Sequence, residues 1–483
     1  MLFNSLHFLI FFPLVVVLYF SIHHKYRWIL LLVSSYYFYM SWKAEYIILI
    51  IISTLIDYFV GLKIEQTDNQ SKRKRYLIFS LASNLGILFL FKYFNFFSDS
   101  FRVLLAQFSI PFNEMHLQFL LPVGISFYTF QTLSYTIDVY RRKIKAEKHL
   151  GIFAVYVSFF PQLVAGPIER AQNLLPQFKK ENFFIYDQVI SGLRFMLWGF
   201  FMKLVIADRL AIVVNQVYNN PSGYTGLPIL LATYLFSYQI YCDFAGYSLI
   251  AIGAARIMGY DLMINFCRPY FAQSISEFWS RWHISLSTWF RDYLYIPLGG
   301  NRVAKYRWYG NLMIVFLVSG LWHGANWTFV VWGGLHGAYL VFSVATKKLR
   351  KYLTHFLKLD KFPQVLNVLR VVFVYHLVLI SWIFFRANSL SDAFYILQNM
   401  FTNWSLDFSG IYLGGLGGWF GLKIALAPLV FLIIFEFLEE RYKIWDVLYR
   451  QRRLVRWLFY IFILLWLFLF GVFEENDFLY FQF

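Results

Sequence analysis

The sequence predicts an all-α protein that crosses a membrane many times, and three observations support this prediction. First, 59% of the 483 residues are hydrophobic and 14% are charged, whereas soluble globular chains are roughly 45–50% apolar and about 25% charged. Second, the apolar residues form runs close to the roughly 20 residues that span a bilayer. Third, basic residues collect in alternate connections between these runs, which is how membrane helices are oriented.

Ten apolar runs are predicted to span the membrane. The first is expected to be a retained helix and not a signal peptide, because no basic region precedes it and no small-residue cleavage site follows it. Two further apolar arms enclose a short polar break. The ten runs are 6–22, 28–42, 46–62, 76–97, 119–140, 189–214, 229–257, 366–385, 422–438 and 454–472, and the two arms are 312–322 and 327–345.

The distribution of charge predicts the orientation. The chain has 43 Lys and Arg against 26 Asp and Glu, a net charge of +17. Basic clusters such as 72–75 and 141–143 alternate with the loops 215–226 and 389–418, which contain no Lys or Arg. Cytoplasmic basic loops, with the N-terminus and the acidic residues 474–477 outside, satisfy this pattern. Orientation accounts for the charge, so the bilayer is an expected partner and nucleic acid is not.

The break between the two arms places a histidine at an unusual position. The first arm is short for a span, so the break at 322–326 is expected at membrane depth, where non-helical backbone must be buried or line a cavity. His323 is therefore predicted at the base of a pocket or tunnel. Its imidazole could act as a general base, or it could hydrogen-bond neighbouring helices as part of their packing.

Two more ionisable residues lie in apolar segments. His336 follows His323 by 13 positions among glycines that permit close helix packing, so both a structural and a chemical role are open. No carboxylate lies near these histidines in sequence, and no metal site is predicted. Asp243, inside a predicted span, must find a partner. It could orient an imidazole or pair with Arg281 or Arg291.

The stretch 273–298 has the pattern of an amphipathic helix. Phe278, Trp282, Leu286 and Trp289 recur at helical spacing, with charged residues between them. We expect one helix that lies at the cytoplasmic interface or re-enters the membrane beside the core. His283, within this stretch, is expected to be structural or interfacial.

Six motifs are long enough to be specific. They are SEFWSRWHISLSTWFRDYLYI at 276–296, PVGISFY at 122–128, LVAGP at 163–167, LGGNR at 298–302, GLWHGAN at 320–326 and FLYFQF at 478–483. Together they resemble the signature of the membrane-bound O-acyltransferase superfamily, and most closely its bacterial alginate O-acetylation branch. The resemblance extends over nearly the whole chain.

The resemblance implies a helical bundle with re-entrant and interfacial helices around a central tunnel. It implies one membrane domain over 1–483, with peripheral helices in 1–118, a catalytic core over about 119–386 and C-terminal helices in 387–483. His323 matches the essential histidine of the family, and His336 is the second histidine of this region. The residues then expected to contact substrate or line the tunnel are Trp322, Asn326, Asp243, Arg281, His283, Ser287, Trp289, Arg291 and Asp292.

The activity implied by the resemblance is acyl transfer in a bacterial inner membrane. An acetyl group would come from a cytoplasmic thioester such as acetyl-CoA, which acts as donor substrate, with no bound cofactor. A partner protein outside the membrane would place the group on an exported polysaccharide such as alginate. His323 would act as general base or as a transient acyl carrier.

Two readings without covalent chemistry compete with acyl transfer. Broken helices and buried polar groups also occur in transporters and flippases, although no inverted repeat is visible in this sequence. The other alternative is a scaffold of a polysaccharide secretion complex, in which the segment 478–483 would be a docking strand outside the membrane.

Overall fold

A computed structural model describes residues 1–112, 116–404, 412–413, 416–473 and 478–479. The described part is helical except for loops and one antiparallel pair of two-residue strands, β1 (Tyr412–Leu413) and β2 (Leu416–Gly417). The predicted all-α class is confirmed.

The helices follow one another with short connections. In chain order they are α1 (Leu6–Ser21), α2 (His24–Met40), α3 (Ile47–Gln66), α4 (Gln70–Leu88), α5 (Phe94–Ala106), α6 (Ile125–Tyr140), α7 (Leu150–Ser158), α8 (Phe160–Leu163), α9 (Ala171–Lys179), α10 (Tyr186–Phe200), α11 (Asp208–Tyr218), α12 (Leu227–Ile257), α13 (Ile275–Arg281), α14 (Ile284–Phe290), α15 (Lys305–His323), α16 (Trp327–Ala345), α17 (Lys347–Phe356), α18 (Pro363–Arg386), α19 (Leu390–Asn399), α20 (Gly418–Tyr442), α21 (Ile444–Arg450) and α22 (Arg453–Phe470).

Seven helical stretches among the described residues are long and apolar enough to cross a membrane. They are Ala44–Gln66, Gln70–Ala106, Leu227–Ile257, Trp327–Ala345, Pro363–Arg386, Gly421–Tyr442 and Arg453–Phe470. The longest, Gln70–Ala106, joins α4 to α5 through a π-helical segment, Phe89–Tyr93. Similar π-helical segments, Phe201–Ala207 and Arg291–Tyr295, follow α10 and α14.

The predicted span 119–140 differs from the structure at its start. α6 begins only at Ile125, because Pro122 interrupts the run and Gly124 adopts a left-handed conformation with φ of 75°. Its 16 residues make a helix about 24 Å long. Nearly all of them are buried, and several carry hydroxyl groups. α6 is thus an interior helix that is shorter than a membrane span.

The chain divides into two compact units. The first is made of 1–196 and 248–263, and the second of 197–247 and 264–479, where these ranges are described. In the first unit, the buried Asp57 carboxylate of α3 accepts hydrogen bonds from Ser80, from Asn84 Nδ2 at 2.8 Å and from Thr136 Oγ1 at 2.8 Å. These bonds join α3 to α4 and α6. Every predicted site residue lies in the second unit.

A hairpin of α15 and α16 is the central element of the second unit. The two helices are in backbone contact, because a methyl group on Gly320 would collide with the Phe329 carbonyl oxygen, and one on Gly333 with the Phe316 carbonyl oxygen. α15 has 19 residues and is about 28 Å long. The helix starts seven residues before the predicted boundary of the apolar arm at 312, and α15 is not among the seven candidate spans of the described residues.

Candidate active site

The tip of the hairpin is the predicted polar break, and the structure shows how it forms. α15 ends at His323, and a side chain at Gly324 would occupy the space of the Phe329 ring. Asn326 then caps α16, because its side-chain oxygen accepts a hydrogen bond from Thr328 N at 2.9 Å. Asn326, expected to contact substrate, is placed as a helix cap.

Aromatic rings surround His323. The side chain is buried, with Trp322 and Trp332 at ring-centroid distances of 5.0 and 4.8 Å and Phe385 of α18 at 5.4 Å. All three rings meet the imidazole edge to face. The predicted neighbour Trp322 is therefore at the site, and the structure adds Trp332 and Phe385.

His283 is brought close to His323 by an interruption between two helices. The expectation of one amphipathic helix through 273–298 was wrong, because His283 has a φ of 42° and separates α13 from α14. Asn265 stabilises the break. Its backbone oxygen accepts from Ile284 N at 2.9 Å, and its side-chain oxygen accepts from Ser285 N at 3.2 Å.

The break turns the His283 imidazole inward. The ring is fully buried and its centroid lies 6.3 Å from that of His323 and 5.9 Å from that of Trp322. A non-glycine residue held in a left-handed conformation is uncommon and is concentrated at functional sites. Two imidazoles and an indole thus share one buried pocket. The expected apolar stripe is also buried, namely Phe278, Trp282, Leu286 and Trp289.

His336 has a different environment. Trp279 Nε1–H donates to its Nδ1 at 3.3 Å, and its Nε2 lies 2.9 Å from Ser381 Oγ. Ser381 has one hydroxyl hydrogen, which it donates to the Val378 carbonyl oxygen at 2.6 Å. Nε2 must therefore donate to Ser381, so His336 is the neutral tautomer protonated at Nε2. Both ring nitrogens are engaged in helix packing.

Asp243 is paired with Lys203, which was not among its predicted partners. Lys203 Nζ lies 2.6 Å from Asp243 Oδ1 and 2.8 Å from Asp208 Oδ1, and all three side chains are buried. Asp243 Oδ2 accepts a hydrogen bond from Leu479 N at 2.8 Å. Both oxygens are occupied by partners other than an imidazole. Asp243 therefore shows neither of the two alternatives, since its oxygens contact neither an imidazole nor Arg281 or Arg291.

The two arginines have other carboxylates as partners. Arg281 lies 2.7 Å from Glu277 and 2.9 Å from Glu440. Burial by itself would lower the pKa of the Arg281 guanidinium, but the hydrogen bonds and charges of these two carboxylates raise it above the usual value. Arg291 pairs with its neighbour Asp292 at 2.8 Å and is largely exposed. Arg281 therefore ties α13 to α20 rather than lining the histidine pocket.

A cavity of about 430 Å³ lies beside the histidine segment. Its wall includes Ser319, one helical turn before His323, and Ile284, which directly follows His283. Of the predicted tunnel residues, Ser287 and Arg291 line it, whereas Trp289 packs on Phe290 and Tyr293. The other lining residues are Ser276, Trp279, Ser280, Leu286, Thr288, Phe290, Tyr295, Leu312, Val315, Phe316 and Leu340.

Besides Trp332 and Phe385, three residues of this region were missed from the sequence, namely Lys203, Asn265 and Ser381. Lys203 carried a signal, since a lysine inside the apolar run 189–214 demands a buried partner. Asn265 and Ser381 carried none, because each acts through a contact distant in sequence. Across the part of the chain that the structure describes, no three His, Cys, Asp or Glu side chains are grouped to hold a metal ion.

The tail 478–483 was expected to be an exposed docking strand if the protein were a scaffold. Phe478 and Leu479 are instead buried, and the Phe478 ring lies 5.5 Å from Phe244 and 5.1 Å from Tyr247. These two residues belong to the interior of the second unit. Residues 480–483 lie outside the described part.

Comparison with known proteins agrees with this architecture. Residues 148–387 match the family model for MBOAT, the membrane-bound O-acyltransferase family. This region contains both hairpin helices and the histidine pocket.

Several curated proteins are similar over most of the chain. The probable alginate O-acetylase AlgI of Azotobacter vinelandii is 40% identical over 412 residues, which cover 84% of this chain and 80% of that protein. The peptidoglycan O-acetyltransferase of Helicobacter pylori is 36% identical, over 77% of this chain and 73% of that protein. A teichoic acid D-alanyltransferase of Streptococcus thermophilus is 31% identical over 47% of this chain and 58% of that protein. With its apolar helices and its buried histidine pocket, this chain belongs to the membrane-bound O-acyltransferase family and is a multi-pass membrane enzyme that transfers acyl groups.

Proposed function

We propose that this protein transfers an acetyl group from a cytoplasmic thioester, such as acetyl-CoA, towards hydroxyl groups of an exported polysaccharide. The relatives named above as alginate and peptidoglycan O-acetylating proteins support this choice of acyl group and acceptor. The observation that carries the proposal is the burial of His323 and His283 in one aromatic pocket beside a mainly apolar cavity that also carries serine hydroxyl groups.

His323 is proposed as the general base. During transfer, the acceptor oxygen attacks the thioester carbon, a C–O bond forms and the C–S bond breaks. The hydroxyl proton moves to the imidazole of His323 and then to the leaving thiolate, so that the imidazole is restored. The surrounding rings of Trp322, Trp332 and Phe385 exclude water, which would otherwise compete with the acceptor.

The cavity is proposed as the donor site. Its walls are mainly apolar, as an acyl thioester chain requires, and hydroxyl groups of Ser276, Ser280 and Ser287 offer hydrogen bonds to amide groups of the donor. Arg291, largely exposed at the wall of the cavity, supplies positive charge for a phosphate group. His283 is proposed to contact substrate, while His336, Asn326, Asp243 and Arg281 are proposed to hold the pocket in shape.

The orientation inferred from charge completes the proposal. Basic loops lie on the cytoplasmic side of a bacterial inner membrane, and both termini lie on the outer side. The acidic residues 474–477, also expected outside, are not among the described residues. An acceptor or a partner acyltransferase then approaches from outside. The described candidates for this contact are the segment 215–226, which begins in α11, and the segment 389–404, which contains α19.

The test is transfer of radiolabel from acetyl-CoA by the purified full-length protein, with alginate or peptidoglycan oligomers as acceptors. His323→Ala should reduce the rate at least ~100-fold, as expected for loss of a general base. His355→Ala is the matched control, because His355 is an exposed histidine of α17. It should keep the rate of the unmodified protein.

The outcomes separate the mechanisms. Label that accumulates on the protein and depends on His323 would replace the general base by a covalent acyl carrier. Equal rates for His323→Ala and His355→Ala would contradict the role of His323. A protein that moves the donor or the glycan across vesicles but transfers no label from any thioester would be a transporter, contrary to the proposal.

A further inference from the structure

Helix α17 connects two candidate membrane spans. α16 ends at Ala345 and α18 begins at Pro363, and both are long and apolar enough to cross a bilayer. The connection between them must therefore lie where the membrane meets water. α17 occupies most of this connection, and none of its residues is buried in the protein.

One side of α17 is apolar and uncovered. Leu349, Tyr352, Leu353 and Phe356 follow the i, i+3, i+4, i+7 spacing that places side chains on one face of a helix. They are 43–68% exposed. Four large apolar side chains in water on one helix face are unfavourable, so this face requires an apolar environment that the protein itself does not supply.

The other side of α17 is basic. Lys347, Lys348, Arg350 and Lys351 project from the remaining arc of the helix and are exposed. The segment 347–361 contains six basic residues and one acidic residue, Asp360. Since Asp360 contacts His355 at 3.0 Å, no carboxylate of this segment neutralises the basic face.

We propose that α17 lies in the plane of the membrane surface and binds anionic phospholipid headgroups. Its apolar face enters the acyl-chain boundary, and its lysines contact lipid phosphates. A bilayer satisfies both faces at once. A folded acidic protein would contact the basic face and leave Tyr352 and Phe356, 65% and 68% exposed, in water. This inference does not depend on the substrate of the enzyme.

The first experiment measures the depth of α17. Full-length protein carries a spin label at position 352 or 356 on the apolar face, or at 348 or 351 on the basic face, in vesicles of phosphatidylcholine with phosphatidylglycerol. Labels at 352 and 356 should be accessible to oxygen in the acyl-chain region and protected from an aqueous nickel complex. Labels at 348 and 351 should show the opposite behaviour. Water-accessible labels at 352 and 356 would overturn the proposal.

The second experiment measures lipid preference. The measured quantity is the ratio of phosphatidylglycerol to phosphatidylcholine bound by the protein. This ratio should be at least ~5-fold lower for the variant Lys347→Gln/Lys348→Gln/Lys351→Gln than for the unmodified protein, because each basic residue near the surface contributes to the attraction of anionic lipid. The matched control is Lys72→Gln/Lys74→Gln/Arg75→Gln, which removes three exposed basic residues of α4. Equal losses in the two variants would show a general effect of charge and overturn the proposal. Protection of position 352 only after an acidic carrier protein is added would also overturn it, in favour of a protein partner.

Discussion

His323 and His336 lie on the two arms of one hairpin, and their surroundings differ in kind. Both rings are buried. His336 has a hydrogen-bond partner at each nitrogen, Trp279 and Ser381, and these fix its tautomer. His323 is enclosed by aromatic edges and faces and lies 6.3 Å from a second imidazole, His283. The hairpin thus holds one histidine by two hydrogen bonds and places the other among aromatic rings.

Burial alone does not distinguish these two histidines, because both rings are buried and only their contacts differ. A ring whose two nitrogens both hold helices together must lose a structural bond before it can move a proton. His323 instead lies against the rings of Trp322, Trp332 and Phe385 and beside His283. The partners of a buried histidine therefore indicate its role more directly than its depth does.

The largest effect is expected when each of the two histidines is replaced singly by glutamine, which keeps a polar side chain of similar length. His323→Gln should lower the acetyl-transfer rate at least ~100-fold, because a glutamine amide cannot accept the hydroxyl proton. His336→Gln should lower the unfolding midpoint and retain transfer within about 10-fold of the unmodified protein, since Gln keeps one donor and one acceptor. Equal losses of rate at equal stability would remove the distinction between the two histidines.

A smaller effect is expected at the backbone break that brings His283 to the pocket. His283→Val should lower the free energy of unfolding by about 1–2 kcal/mol relative to His283→Asn, because a β-branched residue is strained at a φ of 42° whereas Asn tolerates it. Chemical unfolding in detergent measures the difference. Comparing the transfer rates of the Asn variant and the unmodified protein then isolates the imidazole. Equal stability of the two variants would show that the left-handed conformation does not constrain this position.

The smallest effect is expected from the bonds that fix His336. Ser381→Ala and Trp279→Phe each remove one hydrogen bond to the ring and should each lower the free energy of unfolding by roughly 0.5–1.5 kcal/mol. The two changes act on the same imidazole, so the double variant should deviate from additivity. Strict additivity, measured in the same detergent, would mean that the two bonds do not act through a shared ring orientation.

The sequence predicted those parts of the molecule that depend on local pattern. The membrane class, most helix positions, the polar break of the hairpin and the burial of Phe278 and Trp282 follow from apolar spacing and composition. The division of 273–298 into two helices does not, because it depends on Asn265, which is distant in sequence. A periodic pattern of apolar residues continues through a helix break when both helices pack on the same core.

The partners of buried charges were also beyond the reach of local pattern. Asp243 was recognised as needing a partner, but Lys203 lies 40 positions earlier in another helix. Asp57, in the first unit, has hydroxyl and amide donors around it, and nothing in its local sequence distinguishes these donors from the other polar residues nearby. Which groups meet in the interior is decided by the packing of helices.

The contact between Asp243 and Leu479 has a consequence for biosynthesis. The two residues are separated by 236 positions. Helix α12, which carries Asp243, is therefore made well before Leu479, whose backbone N–H donates to Asp243. At roughly 5–20 residues per second, the ribosome needs on the order of ten seconds or more to reach Leu479. During that interval Lys203 is the neighbour that can stabilise Asp243, since it precedes Asp243 in the chain. Because both of its residues are made before Leu479, the Lys203–Asp243 ion pair is the contact that is available to this carboxylate during synthesis.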